Sequence, residues 1–216
     1  MSTPLALWPP LPRDFYARDT VVVARELLGM QLIRATREGL VRGRIVETEA
    51  YLPTGDSACH AARGKTRKNA AMFGRPGIAY VYAIHSRWCF NVVTEAPGTP
   101  AAVLIRALEP LQGAPLMQRR RGDVPVLDTT RGPARLCEAF AIDKRMNQWS
   151  LTSGRRLWIA RDETFEGAGP AIGVSPRIGV TSAEDLPLRF TLVGNVYLSR
   201  RDRNQQTMEV DERAGG

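Results

Sequence analysis

The chain has 216 residues, with 30 Lys and Arg against 22 Asp and Glu, so its formal net charge is +8. This length allows one compact domain with a full core, or at most two small ones. The charge favours an anionic partner, nucleic acid before an acidic membrane surface, with a merely solvated basic surface as the plain alternative. The three cysteines have no disulfide-framework or zinc-type spacing, which favours reduced thiols and a cytosolic setting.

The beginning of the chain contains four prolines and no apolar run long enough for a signal peptide or a membrane span. We expect residues 1–14 to form an extended lead-in. Asp19 is a suitable N-cap for a helix over Val21 to Leu28, which Gly29 would end. Two strands joined by a turn follow: Met30 to Ala35 and Val41 to Tyr51.

The second of these strands carries two carboxylates where a buried sheet normally carries apolar residues. Glu47, Glu49 and Tyr51 have the same parity, so in an extended chain they project from one face. Acidic residues in an apolar strand need a use or a neutralising partner. A carboxylate beside an aromatic ring suggests chemistry on an aromatic group.

A basic loop follows, from Pro53 to Asn69. Gly64-Lys65-Thr66 is similar to the end of a P-loop, but Cys59 stands where that motif requires glycine. The sequence therefore does not support a nucleotide-hydrolysing P-loop. Four cations remain within six residues and suit a nucleic-acid backbone, or are simply solvated: Arg63, Lys65, Arg67 and Lys68.

Further strands are predicted along the rest of the chain: Ile78 to Ile84, Cys89 to Thr94, Ala102 to Leu108, Leu157 to Ala160 and Leu188 to Leu198. Helices are predicted at Leu111 to Arg121 and Ala134 to Ala141, and a polar tail from about residue 200. Strands outnumber helices and often follow one another. The pattern predicts one α+β domain with a curved, largely antiparallel sheet flanked by helices.

Tyr80 and Tyr82 share one face of a predicted strand, where two tyrosines are usually packing residues but would also suit a wall for base stacking. The chain has only two histidines, His60 and His85, without carboxylate or cysteine spacing beside them, so we predict no metal site. Arg106 lies in an apolar strand and needs a partner. Pairing with Glu47 or Glu49 would satisfy it structurally, whereas orienting a phosphate or a catalytic carboxylate would satisfy it functionally.

These features belong to a series of short blocks in a fixed order: Arg44 to Tyr51, His60, Met72-Phe73, Pro76-Gly77, Tyr80 to Tyr82, Asn91, Leu104 to Pro110 and Gly132-Pro133. The series resembles the alkyladenine DNA glycosylases, the 3-methyladenine DNA glycosylase type also found in vertebrates. The resemblance runs from about Phe15 to Tyr197.

The resemblance implies a monofunctional glycosylase that flips damaged purines out of duplex DNA and hydrolyses the N-glycosidic bond, without a metal or other cofactor. Family substrates include 3-methyladenine, 7-methylguanine, hypoxanthine and etheno-adenine. It also implies a monomer, without membrane attachment, in the bacterial cytosol.

The resemblance further implies a role for each matching residue. Glu49 matches the general base, and Arg106 and the backbone carbonyl of Ile178 match the groups that hold the attacking water. Asn91 matches a pocket residue that screens the exocyclic groups of purines. Three residues match those that sandwich the flipped base in its pocket: Tyr51, His60 and Tyr82.

One segment departs from the family pattern. The stretch from Ala83 to Asn91 is one residue shorter than usual, and His85 stands at about the position of the tyrosine that wedges into the duplex. We expect His85 to fill the gap less well and to favour unstable or cationic lesions. The basic loop is also about one residue shorter than in vertebrate relatives.

Two other function classes compete with this interpretation. One is a non-catalytic nucleic-acid-binding module, in which Glu47 and Glu49 only pair with Arg106. The other is a metal-dependent hydrolase, which the missing ligand spacing disfavours.

Overall fold

The computed structural model describes residues 7–165, 171–200 and 206–208. These residues form one α+β domain built on a nine-stranded sheet in which every strand pair is antiparallel. The predicted fold class is therefore confirmed. The strands are β1 (Gln31–Thr36), β2 (Gly39–Tyr51), β3 (Ala79–Ile84), β4 (Arg87–Val93), β5 (Ala102–Gln112), β6 (Leu157–Ala160), β7 (Ile172–Ser175), β8 (Arg189–Leu192) and β9 (Gln206–Met208).

Four short α-helices accompany the sheet in the described part of the chain: α1 (Arg13–Tyr16), α2 (Thr20–Glu26), α3 (Ala114–Arg120) and α4 (Pro133–Ala139). The predicted cap of α2 is confirmed, because the Asp19 side chain accepts a hydrogen bond of 3.0 Å from the Val22 amide. Within the described ranges, no helix is long and apolar enough to cross a bilayer.

Several predicted boundaries were wrong. Helix α1 begins at Arg13, inside the segment expected to be extended. Strand β5 runs on to Gln112, so the helix predicted from Leu111 begins only at Ala114. Gly113 separates the two with φ +81°, and a Cβ there would lie 2.6 Å from the Leu40 carbonyl oxygen, so this turn requires glycine.

The C-terminal part of the chain differs most from the prediction. The strand expected over Leu188 to Leu198 ends at Leu192, and Gly194 follows in a turn with φ +78°. Strand β7 was not predicted, and β9 pairs with it inside the stretch expected to be a polar tail. The predictions for residues 1–6 and for the rest of the tail lie outside the described residues.

Strand β2 is the centre of the sheet and positions the unusual carboxylates. Val46 and Ala50 belong to the main hydrophobic core, and the Thr48 hydroxyl donates to the Ala24 carbonyl of α2 at 2.8 Å. Glu47 and Glu49 project from the other face, as the alternation predicts. That face is also buried, since both glutamates are fully excluded from solvent.

A β-bulge in the neighbouring strand β5 directs Arg106 towards these carboxylates. Thr48 pairs with Ile105 and Glu47 pairs with Ala107, so Arg106 is the extra residue between the two pairs. Bulges of this kind re-aim a side chain and are frequent next to active sites.

Candidate active site

Glu49 is held by three hydrogen-bond donors from three different segments. Its Oε1 accepts from the Ile178 amide at 2.7 Å, and its Oε2 accepts from the Tyr51 hydroxyl at 3.0 Å and from Arg106 Nη1 at 3.2 Å. Its side chain has no solvent exposure. A carboxylate with this many partners is fixed in one orientation, and the structure thus brings together Glu49, Tyr51, Arg106 and Ile178.

Arg106 bridges the two buried glutamates. Its Nε donates to Glu47 Oε1 at 3.0 Å, while Nη1 reaches Glu49 and, at 3.4 Å, the Ile178 carbonyl. Burial alone would lower the pKa of Arg106, but the charges of Glu49 and Glu47 outweigh it and raise that pKa. The guanidinium therefore remains charged beside Glu49.

Glu47 has a different set of partners. Its Oε1 also accepts from Arg189 Nε at 2.7 Å and from the Ser199 hydroxyl at 2.8 Å, and its Oε2 accepts from the Ser199 amide at 2.6 Å. Burial would raise the pKa of Glu47, but the charges of Arg106 and Arg189 lower it overall. Glu47 is thus a structural anion that orients Arg106.

A fully buried ion pair between Arg177 and Asp56 stabilises the residues around Glu49. Arg177 donates to both oxygens of Asp56 at 2.6 Å and to the Ala50 carbonyl at 3.0 Å. Its guanidinium lies 4.6 Å from the centre of the Tyr51 ring. Because Ile178 is the next residue, this pair fixes both an aromatic side chain and the amide that holds Glu49. Sequence analysis missed the pair.

The residues expected to sandwich a base line one narrow cavity. Its walls are Tyr51, His60, Met72, Tyr80, Tyr82, Asn91 and Ala102. The His60 and Tyr82 rings are 4.4 Å apart and steeply inclined, and His60 Nδ1 lies 2.9 Å from the Tyr80 hydroxyl. The cavity measures only about 10 Å³, room for about one water molecule, so a larger ligand would fit only if the walls separated.

An open groove of about 400 Å³ adjoins this cavity. It shares Tyr51, His60 and Tyr82 with the cavity, and we call it the mouth groove. Its other lining residues are Ser57, Ala58, Cys59, Ala62, Arg63, Ile84 and Gly179 to Ser182. Burial raises the pKa of the Tyr82 and Tyr51 hydroxyls, so both phenols are neutral and Tyr51 remains a donor to Glu49.

The basic loop lies beside the mouth groove, and its cations are exposed. Of the four predicted backbone contacts, Arg63 lines the groove, and Lys65 lies over the Phe73 ring at 5.3 Å. Asn69 holds the loop closed, since its Nδ2 donates to the carbonyls of His60 and Gly64 at 2.8 and 2.9 Å. Sequence analysis did not single out this role for Asn69.

His85 is not part of the cavity. It forms, with Ser86, the two-residue turn of the β3–β4 hairpin, and their φ angles of 46° and 62° are those of a type I′ turn. Both residues are exposed at the tip. Ile84 precedes them on the same face of β3 as Tyr82, is 45% exposed and lines the mouth groove.

Cys59, Cys89 and Cys137 are buried free thiols. Over residues 7–165, 171–200 and 206–208, no three His, Cys, Asp or Glu side chains gather as metal ligands would. The arrangement that remains is a buried, oriented carboxylate beside an aromatic cavity, with a basic loop at its mouth.

Comparison with known proteins gives a consistent result. The family model of methylpurine-DNA glycosylase (MPG) matches residues 14–196. A protein of Carboxydothermus hydrogenoformans is 47% identical over 192 residues, which covers 88% of this chain and 99% of that protein. One of Methanoculleus marisnigri has the same identity and coverage, and one of Rhodopirellula baltica is 44% identical over 93% of this chain and 88% of its own. All three carry the name "Putative 3-methyladenine DNA glycosylase".

Proposed function

The chain belongs to the methylpurine-DNA glycosylase family, and from this premise we propose that it excises alkylated and deaminated purines with Glu49 as the general base. It is a DNA glycosylase, and its place is in base excision repair. The observation that carries the proposal is the buried Glu49 carboxylate, which three hydrogen-bond donors hold in one orientation. One of these donors, Tyr51, also forms part of the cavity wall.

In the proposed reaction, Glu49 accepts a proton from a water molecule whose oxygen attacks C1′ of the everted nucleotide. The bond from C1′ to the base nitrogen breaks, and its electrons leave with the base. Positive charge develops on the sugar meanwhile, and the nearby carboxylate stabilises it. Arg106 and the Ile178 carbonyl, which lie 3.4 Å apart, are the groups proposed to hold the water.

The base would occupy the cavity between Tyr51 and the pair formed by His60 and Tyr82. Stacking on aromatic rings suits any purine, and it is strongest for a base made cationic by alkylation. Asn91 is 2% exposed, lines the cavity and donates from Nδ2 to the Tyr80 carbonyl at 3.1 Å. Its amide is therefore fixed in orientation, which a residue that screens exocyclic groups requires.

The proposed substrate is damaged duplex DNA, bound by a monomer. The basic loop with Arg63, Lys65, Arg67 and Lys68 would contact the phosphate backbone, and His85 at the hairpin tip would enter the duplex in place of the everted nucleotide. A cytosolic enzyme of this kind needs no disulfide, in keeping with the three free thiols.

The test is incubation with duplex oligonucleotides that carry 3-methyladenine, 7-methylguanine, hypoxanthine or etheno-adenine, followed by alkaline cleavage at abasic sites. We expect strand cleavage only after alkali, because a monofunctional glycosylase does not cut the backbone. The activity should be unchanged by chelators, since the proposed reaction uses no metal. Release of none of these bases would contradict the proposed substrates.

A further inference from the structure

A second groove adjoins Arg106 and Ile178, two of the three residues that contact Glu49, and it shares no lining residue with the mouth groove. Its volume is about 490 Å³. We call it the arginine groove. Its lining residues are Arg106, Asp128, Arg131, Gly132, Arg135, Ile178, Ser199 and Arg200. Nothing in the proposed reaction uses this groove apart from Arg106 and Ile178.

The backbone of the arginine groove is fixed by the same network that holds the carboxylates. Arg131 forms a β-bridge with Ala107, next to Arg106, and its Nε donates to the Leu198 carbonyl at 3.1 Å. Ser199 is bound to Glu47 through its amide and its hydroxyl, and the Arg200 carbonyl accepts from Arg189 at 3.0 Å. The arginine side chains therefore extend from rigid positions.

The charges of this groove do not cancel. Arg106 is neutralised by Glu47 and Glu49, and Arg135 pairs with Asp128 at 2.9 Å. Within the described part of the chain, Arg131 and Arg200 have no carboxylate partner. Arg131 is half-buried and Arg200 is exposed. Among the described residues, these two positive charges lie without a carboxylate partner beside Arg106 and Ile178.

Resting on the proposed function, we infer that the arginine groove binds a backbone phosphate of the damaged strand through Arg131 and Arg200. The sugar of the everted nucleotide must meet Glu49, so a phosphate attached to that sugar or to its neighbour lies within reach of side chains next to Arg106. Guanidinium groups suit phosphate oxygens because their N–H donors match them in pairs. The basic loop, at the separate mouth groove, would take a different phosphate.

The experiment measures the affinity of full-length Arg131→Gln, Arg200→Gln and the double variant for a duplex with an abasic-site analogue, at several salt concentrations. The control is Arg119→Gln, an exposed arginine of α3 outside the groove. We expect each groove variant to weaken binding about tenfold at low salt and to reduce the slope of log K against log [salt] by about 1. The control should leave both unchanged.

A second arm identifies the phosphate. Each duplex carries a single neutral methylphosphonate. It replaces one of the four phosphates nearest the lesion, two on its 5′ side and two on its 3′ side. When the methylphosphonate replaces the bound phosphate, the double variant and the unaltered protein should bind with equal affinity, because neither can then form the arginine–phosphate contact. Single-turnover excision by the double variant should need more enzyme for half-saturation than excision by the unaltered protein, because the lost contact contributes to DNA binding.

An unchanged salt slope, or a penalty that persists with every methylphosphonate, would overturn the inference. That outcome is distinct from a failure of the proposed function, in which the unaltered protein itself would release no damaged base. A comparison of melting temperatures identifies any variant whose weaker binding comes from loss of folding.

Discussion

The amide of Ile178 lies 2.7 Å from Oε1 of Glu49, across a separation of 129 residues in the chain. This bond joins the loop after β7 to the central strand β2. The loop therefore sets the orientation of the carboxylate, while Tyr51 and Arg106 fix its other oxygen.

Replacing Glu49 with glutamine should remove excision and keep DNA binding. The amide has the shape of the carboxylate but cannot take a proton from water, so the single-turnover rate should fall by about 10² to 10⁴. Excision is measured on a hypoxanthine duplex, and binding on an abasic-site analogue. Glu38→Gln, at an exposed turn residue, is the matched control and should retain full activity. Substantial activity of Glu49→Gln would remove this residue from the proposed role.

Glu47→Gln should destabilise the protein by about 3 kcal/mol at pH 7, because it leaves Arg106 and Arg189 buried with less negative charge. The folded-state pKa of Glu47 is lowered, so its stabilising effect is complete above the ordinary glutamate value and is lost as pH falls from that value through the lower folded-state pKa. The stability difference from the unaltered protein should therefore shrink in acid. Urea unfolding from pH 7 down to about pH 3 measures it, and a constant difference would contradict the expectation.

The Asp56–Arg177 pair should act on the site through Tyr51 and Ile178. Asp56→Asn leaves a buried arginine without its anion, so we expect a loss of about 3 kcal/mol and a lower excision rate at saturating substrate. Arg177→Met should have a similar effect, and the double variant should lose less than the sum of the two. Unfolding and single-turnover kinetics on all four proteins complete the cycle, and simple additivity would mean that the pair is not coupled.

The hairpin tip should determine how well the enzyme holds DNA open. His85→Tyr should strengthen binding to an abasic-site duplex, because a larger ring fills more of the vacated space. Ile84→Ala should weaken binding several-fold, since it removes apolar surface at the mouth groove. Lesions in single-stranded DNA, where no gap opens, serve as the control and should show little change. Equal affinity of His85→Tyr and the unaltered protein would contradict the wedge assignment.

Much of the fold could be predicted because local patterns were strong. The alternation in β2 placed Glu47 and Glu49 on one face, and Asp19 marked the start of α2. Prediction failed where the cause is non-local. Strand β7 has four residues and exists because β8 and β9 pair with it. Strand β5 ends before Gly113, where a Cβ would collide with the Leu40 carbonyl oxygen, and no local pattern reveals this restriction.

The candidate site follows the same division. The parity of Glu49 and Tyr51 and the misplaced charge of Arg106 were visible in the sequence. The bulge that turns Arg106 towards Glu47 was not, because it depends on how two strands pair. The Asp56–Arg177 pair joins residues 121 positions apart, and neither residue stands in an unusual local pattern. Only the folded chain reveals such a partnership.

The tightness of the aromatic cavity has a consequence for how lesions are found among a vast excess of normal bases. Under the proposed function, each base that enters the cavity would bear the same free-energy cost of separating the rings, in addition to the cost of leaving the double helix. A weakly paired nucleotide would lose less pairing and stacking free energy on leaving the helix, so it would enter the cavity more often. Discrimination between damaged and normal bases would thus begin at entry into the cavity, before the N-glycosidic bond is broken.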